Sequence, residues 1–320
     1  MNYKISSTVW IGAFWKTLSC ACFAGVNGLV RYLSGGSPLL LETPLPIHVI
    51  MFFQNTIGSL LILPVLLHNR TLLKTILYPI HPILNIIRVV TAVSGIALWY
   101  VSLKYIPLTQ VVALSFVAPF ISLIGAKLFL NEVLNFTRLT AIMLSILGGF
   151  FITRPDLGLQ NIDHIGWTAI FPLIATLVFT LDKLFTRKLL ADGESATNVT
   201  LYLLVFMGPI SLIPALHYGW IMPNTTHWHW LLLLGLLAAG AHFSFSKAYA
   251  FAEVTFLMPF GIAKMLLCSV VGYLAFSEFP ETTHMWIGIF VLTISTILLT
   301  FGNRLYRGKQ NKVSLSNTTT

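Results

Sequence analysis

RPDLGLQNIDH, residues 154–164, is polar and carries both proline and glycine in a chain that is otherwise 56% hydrophobic. It divides the sequence into two parts of similar composition. Before it lie apolar runs at residues 10–33, 47–67, 86–105, 107–130 and 136–153. After it lie runs at 165–186, 197–219, 229–250, 253–277 and 284–303. Each run reaches the roughly 20 residues that a helix needs to cross a bilayer. In hydrocarbon every backbone polar group must be satisfied within the segment, so these runs are predicted to be helices. Five spans per half is an odd number. Two halves of one design therefore enter the membrane in opposite senses, which is the inverted-repeat plan of many secondary transporters. The predicted fold is an all-α polytopic membrane protein with ten transmembrane helices in two inverted five-helix repeats. The repeats cover residues 10–153 and 165–303, and a cytoplasmic tail covers 304–320.

Composition supports this reading. Charged residues make up 9% of the 320, against about 25% in soluble domains, and mean hydropathy is +0.84. So few charges cannot cover a soluble surface. A nucleic-acid partner is excluded on the same ground, despite a formal net charge of +9. The basic excess sorts by side instead. With the N-terminus cytoplasmic, fourteen Lys and Arg fall on the inner side, including Arg88 and Lys183, and three on the outer side, Arg31, Lys104 and Arg154. Cytoplasmic loops carry such an excess, so both termini are predicted to be cytoplasmic. The three cysteines, Cys20, Cys22 and Cys268, lie in apolar runs without metal-ligand spacing. Trp220, Trp228 and Trp230 cluster after the seventh run, as aromatic residues do at membrane interfaces.

The two halves share a weak internal signal. The fourth run contains SFVAPF (115–120) and exits through FLNE (129–132), and the ninth contains FLMPF (256–260) and exits through AFSE (275–278). The spacing from Pro to Glu differs, so the repeat is not strict.

Several stretches, in order, resemble the EamA-type branch of the drug/metabolite transporter superfamily. They are NGLVRYLSGG (27–36), FFQNTIGSLLILP (52–64), ALWYVSLKYIPLTQVVALSFVAP (97–119), LDKLFTRKL (181–189), SKAYAFAEVTFLMPF (246–260) and GYLAFSEFP (272–280). Gln54 stands where the family often has Arg, and Ile262 near where it often has an aromatic residue. The resemblance implies a central cavity between two five-helix repeats, alternating access and small organic substrates. It covers carriers of amino acids, nucleotide-like compounds, vitamins and amines. The sixth-run LDK and the chain length are similar to bacterial S-adenosylmethionine carriers.

Polar groups within a span are costly, about 2.5–3.5 kcal/mol for a charge at mid-helix on insertion scales, so they are the candidate substrate-binding residues. Lys264 lies half-way along the ninth run. It can meet a substrate carboxylate or phosphate, or form a structural pair with Glu253. Asp182 lies late in the sixth run, near the cytoplasmic face. It can take a substrate amine or a coupling proton, or pair with Lys183 or Arg187. Lys16 lies at similar depth in the first run and can line the cavity or snorkel to the headgroups. His242, mid-span in the eighth run, can relay protons or bond a neighbouring carbonyl. Gln54, with Asn55 and Asn27, can bind substrate or join helices. Trp99 and Tyr100 can stack on a planar substrate or pack. Ser115 can bond substrate or its own backbone.

Two candidate cations against one candidate anion favour a substrate bearing a carboxylate and an amine, such as an amino-acid-like metabolite or S-adenosylmethionine. No cofactor, metal or ATP-binding motif is found, so energy must come from a gradient or from exchange. The expected partners are the lipid bilayer and a small-molecule substrate, and a homodimer is compatible with the sequence. The expected location is a bacterial inner membrane. A lipid-modifying membrane enzyme is the rival from another class. It would need a cluster of Asp, His or Glu near one interface, and the ten acidic residues are scattered. A non-transporting receptor is a second rival.

Overall fold

The computed structural model describes residues 7–35, 43–68, 74, 76, 78–105, 111, 115, 118–130, 136–153, 170–261 and 263–276, together with scattered positions between 287 and 298. The polar stretch 154–164, the joint at 106–107, Glu132, Ile262, Glu278, most of the predicted tenth span and the tail lie outside these. The described residues form helices and no strand. They are α1 (Ser7–Leu33), α2 (Ile47–His68), α3 (Pro82–Tyr105), α4 (Ala118–Leu130), α5 (Phe136–Thr153), α6 (Ile170–Ala191), α7 (Ala196–His217), α8 (Thr225–Phe251), α9 (Val254–Gly261) and α10 (Ala263–Phe276). The predicted ninth span is covered by α9 and α10.

Four helical stretches are long and apolar enough, by length and composition, to cross a bilayer: Val9–Leu33, Pro82–Leu103, Ala196–His217 and Thr225–Phe251. Their outer faces are apolar. Phe14, Ile83, Ile213 and Leu236 are all exposed, the reverse of a water-soluble surface. The inward faces hold the polar groups. On α6 the buried set includes Thr176, Thr180, Asp182 and Thr186, two pairs whose members lie four residues, about one helical turn, apart. Polar groups facing inward and apolar groups facing outward is the arrangement a bilayer requires.

The sixth helix departs from the sequence expectation. It starts at Ile170 and continues to Ala191, where the apolar run ends at 186. The amphipathic end LFTRKLLA keeps its helical spacing after hydrophobicity falls. A reading by hydropathy therefore stops early. Asp182 consequently sits nine residues from the helix end, about 13 Å along its axis. The turn that follows holds Gly193 at φ +99°, a conformation glycine adopts without steric cost. Ser195 then caps α7, its hydroxyl accepting from the Asn198 backbone N–H at 3.1 Å.

Helices from the two halves of the chain interleave. The most extensive packing joins α1 to α8, α3 to α6 and α2 to α7; further contacts join α1 to α10, α4 to α6, α2 to α8 and α3 to α7. The crossing of α2 and α8 is close at Gly235. A Cβ there would meet Ile57 Cγ2 at 2.5 Å and Ile57 Cβ at 2.7 Å, whereas a Cβ on Gly58 would find only ordinary contacts from 3.7 Å outward. Gly235→Val is therefore expected to destabilise the protein by about 1–3 kcal/mol through overpacking, while Gly58→Ala should be near neutral. Thermal melts of the two variants in detergent check this. Equal melting temperatures would mean that the helices separate at no cost.

Candidate functional site

All eight residues singled out in the sequence line one cavity of about 240 Å³: Lys16, Gln54, Trp99, Tyr100, Ser115, Asp182, His242 and Lys264. The volume lies just below the roughly 300–1,000 Å³ of sites for drug-sized ligands. Its walls come from α1, α2, α3, α4, α6, α8, α9 and α10, so both halves of the chain contribute. From α1 come Lys16, Cys20, Phe23 and Asn27, whose spacing of four, three and four residues places them on one stripe.

The ring walls are fixed by hydrogen bonds between helices. Trp99 Nε1 on α3 donates to Asn27 Oδ1 on α1 at 3.3 Å, and the Trp99 ring meets Phe179 on α6 in an edge contact at 6.0 Å. Tyr100 Oη donates to Gln54 Oε1 on α2. Gln54 Nε2 donates to Asn55 Oδ1 at 3.3 Å, and Asn55 Nδ2 donates to Ser211 Oγ on α7 at 2.6 Å. The helix-joining role weighed for Gln54, Asn55 and Asn27 is thus present, and Gln54 and Asn27 also face the cavity.

Two of the lining lysines, Lys16 and Lys264, rest on rings. Lys16 is buried, so the snorkelling alternative does not hold. Its Nζ lies 4.9 Å from the Phe245 ring centre and 5.2 Å from that of Tyr249, and it donates to Tyr249 Oη at 3.5 Å. Lys264 Nζ lies 4.8 Å from the Trp99 ring centre and 5.5 Å from that of Phe23. Among the described residues Lys264 forms no ion pair, and the proposed pairing with Glu253 is not seen. His242 meets Phe23 edge-on at 5.4 Å and, among the described residues, bonds no carbonyl.

Asp182 has a partner that the sequence reading placed elsewhere. Its Oδ1 lies 3.3 Å from Arg88 Nε, and Arg88 is only 1% exposed. Arg88 Nε also donates to Thr186 Oγ1 at 2.6 Å, and its NH1 group donates to the Val199 carbonyl at 2.8 Å. One guanidinium therefore ties α3 to α6 and α7 behind the cavity wall. Arg88 belongs to the interior rather than to the inner-face charges, and Lys183 lines the cavity. Without these two, the sequence count is twelve against three.

The sequence matches known proteins along its length. Residues 10–154 match the EamA-like transporter family. Over 293 residues the chain is 31% identical to a riboflavin transporter of Vibrio cholerae, covering 90% of this chain and 92% of that protein. The chain belongs to the EamA-like transporter family. A riboflavin transporter of Rhizobium johnstonii is 29% identical, with 94% of each chain covered. An S-adenosylmethionine uptake transporter of Rickettsia bellii is 22% identical, covering 95% of this chain and 98% of that one. A solved crystal structure at 14% identity superposes with a TM-score of 0.70, covering 94% of this chain and 99% of that one, and so shares the fold. As an EamA-like protein of the drug/metabolite transporter superfamily, the chain is an integral membrane transporter of a small molecule and not an enzyme.

Proposed function

We propose that the chain is a secondary transporter of the bacterial inner membrane that carries a planar, flavin-like substrate, with riboflavin as the first candidate. The observation that carries this reading is the cavity wall, where Trp99, Phe179 and Phe23 surround hydrogen-bonding groups of Gln54 and Asn27. A tricyclic heteroaromatic offers π-faces to such rings and carbonyl and N–H edges to the amides. The relative of Vibrio cholerae bears the name riboflavin transporter, which agrees. The S-adenosylmethionine reading needs a carboxylate for the sulfonium and amine charges. Asp182 is the carboxylate on the wall, and Arg88 already answers it.

Two inverted repeats are the arrangement that best accounts for the packing. Advancing each helix of a pair by five positions, with α9 and α10 counted as one span, turns the α1–α8 contact into α6–α3 and α2–α8 into α7–α3. It leaves α2–α7 unchanged. Such exchange is what alternating access between two repeats requires. With both termini cytoplasmic, the α2–α3 and α6–α7 connections face the cytoplasm, and the α1–α2 and α7–α8 connections face outward.

Counterflow in proteoliposomes tests the substrate. Liposomes preloaded with unlabelled riboflavin are expected to accumulate labelled riboflavin transiently above protein-free liposomes, and S-adenosylmethionine exchanged against itself should not. Accumulation with S-adenosylmethionine alone would overturn the flavin reading and keep the transporter.

A further inference from the structure

The cavity holds more lysines than a neutral flavin can use. Lys16, Lys183 and Lys264 all line it, and Asp182, with its charge already met by Arg88, is the carboxylate among the lining residues. An ammonium has three N–H donors. Lys16 directs one, at 3.5 Å, to Tyr249, and Lys264 makes no hydrogen bond among the described residues. The ring contacts beneath them stabilise the charge through one face and leave the donors toward the cavity.

The two lysines also share a location. Lys264 sits over Phe23, which lies seven residues beyond Lys16 on the same stripe of α1, about 10 Å along the axis. Cys20 lies between them on that stripe and lines the same cavity as Lys16, Lys183 and Lys264. Space is kept open there. Gly261 faces Lys16, and a Cβ added to it would come within 3.4 Å of Lys16 Cε.

We infer that the position above Cys20, between Lys16 and Lys264, is an anion subsite that receives a phosphate or carboxylate carried by the aromatic substrate. The inference rests on the cavity being the substrate site and narrows the flavin reading to a planar ring with an anionic tail. Lysine suits this task, because a compact ammonium on a flexible stem follows a phosphate as it moves. A tail bound there leaves the ring system beside Trp99, with Lys264 between the two.

The test measures competition against labelled riboflavin in counterflow. Riboflavin 5′-phosphate is expected to inhibit at a concentration about tenfold or more below that of unlabelled riboflavin, the gain of a charged hydrogen bond. In Lys16→Gln and in Lys264→Gln that ratio should fall to about one, and Lys264→Arg should retain most of it. A parallel melt in detergent reads binding without transport. Riboflavin 5′-phosphate should raise the melting temperature of the unmodified protein and not of either Gln variant. If inorganic phosphate added with riboflavin gives the same lysine-dependent gain, the subsite stands and its anion is a separate ion. Riboflavin counterflow without any advantage for the phosphate ester, and without lysine-dependent stabilisation by either anion, overturns the subsite and keeps the flavin reading. Absent riboflavin counterflow with lysine-dependent stabilisation by riboflavin 5′-phosphate or inorganic phosphate overturns the flavin reading and keeps the subsite.

Discussion

Arg88→Met is expected to cost about 3–5 kcal/mol, the loss seen when one partner of a buried ion pair is removed. Two groups lose their donor, Thr186 Oγ1 and the Val199 carbonyl, and Asp182 loses its ion-pair partner. Asp182 is left as a buried charge without its cation. Because α3, α6 and α7 meet at this guanidinium, the effect should appear as a large drop in the apparent melting temperature and in the yield of monodisperse protein. The double variant Arg88→Met/Asp182→Leu separates two explanations. If the loss comes from the abandoned carboxylate, removing that carboxylate as well should recover a substantial part of it, since apolar replacement of a whole buried pair is often neutral. If the double variant is as unstable as the single one, the hydrogen bonds to Thr186 and Val199 dominate. A single variant that melts with the unmodified protein would mean that Arg88 does not join these helices.

The burial of Arg88 shows where the sequence stops being readable. Charge counting along a chain reports depth by position and takes no account of rotation about the helix axis. Arg88 is the third residue of the run predicted from 86 and so reads as an interface charge. In the structure α3 begins at Pro82, and Arg88 lies nearly two turns in, pointing at α6. The end of α6 was hidden too, because the helix runs on to Ala191 after its hydrophobicity falls. The cavity residues were legible for the opposite reason. A lysine, a glutamine or a histidine inside an apolar run is expensive unless it faces the interior, so Lys16, Gln54, His242 and Lys264 identify themselves. Phe179, Phe245 and Tyr249 do not, since nothing distinguishes a cavity phenylalanine from a lipid-facing one in an apolar sequence. The pairing of helices was equally hidden. Helices apolar on most faces carry little periodicity to say which side meets which neighbour.

Joining the α1–α2 connection to the α7–α8 connection by a covalent bridge should stop transport almost completely. At that end, Asn224 Nδ2 donates to Thr43 Oγ1 at 3.3 Å, and His227 Nε2 lies 2.9 Å from the Thr43 carbonyl. His48 Nε2 lies 2.8 Å from the Gly219 carbonyl, and Phe53 packs edge-on against Trp228 at 5.3 Å. The α2–α3 and α6–α7 connections meet at the other end through charge. Glu194 Oε1 accepts from Asn85 Nδ2 at 2.9 Å and from the His81 backbone N–H at 3.1 Å, and His81 Nε2 lies 3.6 Å from Asp192 Oδ2. Under the proposed five-helix exchange these two closures would be counterparts, yet one is built of aromatic rings and neutral hydrogen bonds and the other of carboxylates. A carrier that alternates between two openings must part each in turn. Thr43→Cys/Asn224→Cys bridged by a short reducible bis-thiol reagent should therefore lose counterflow and regain it on reduction, and Asn85→Cys/Glu194→Cys should behave the same way. The single-cysteine variants treated identically should keep their rates. If both bridged proteins transport at the unbridged rate, neither contact opens during the cycle, and substrate must reach the aromatic cavity between other helices. Loss at one end alone would assign the moving gate to that end and make the other a fixed hinge, which the difference in their chemistry permits.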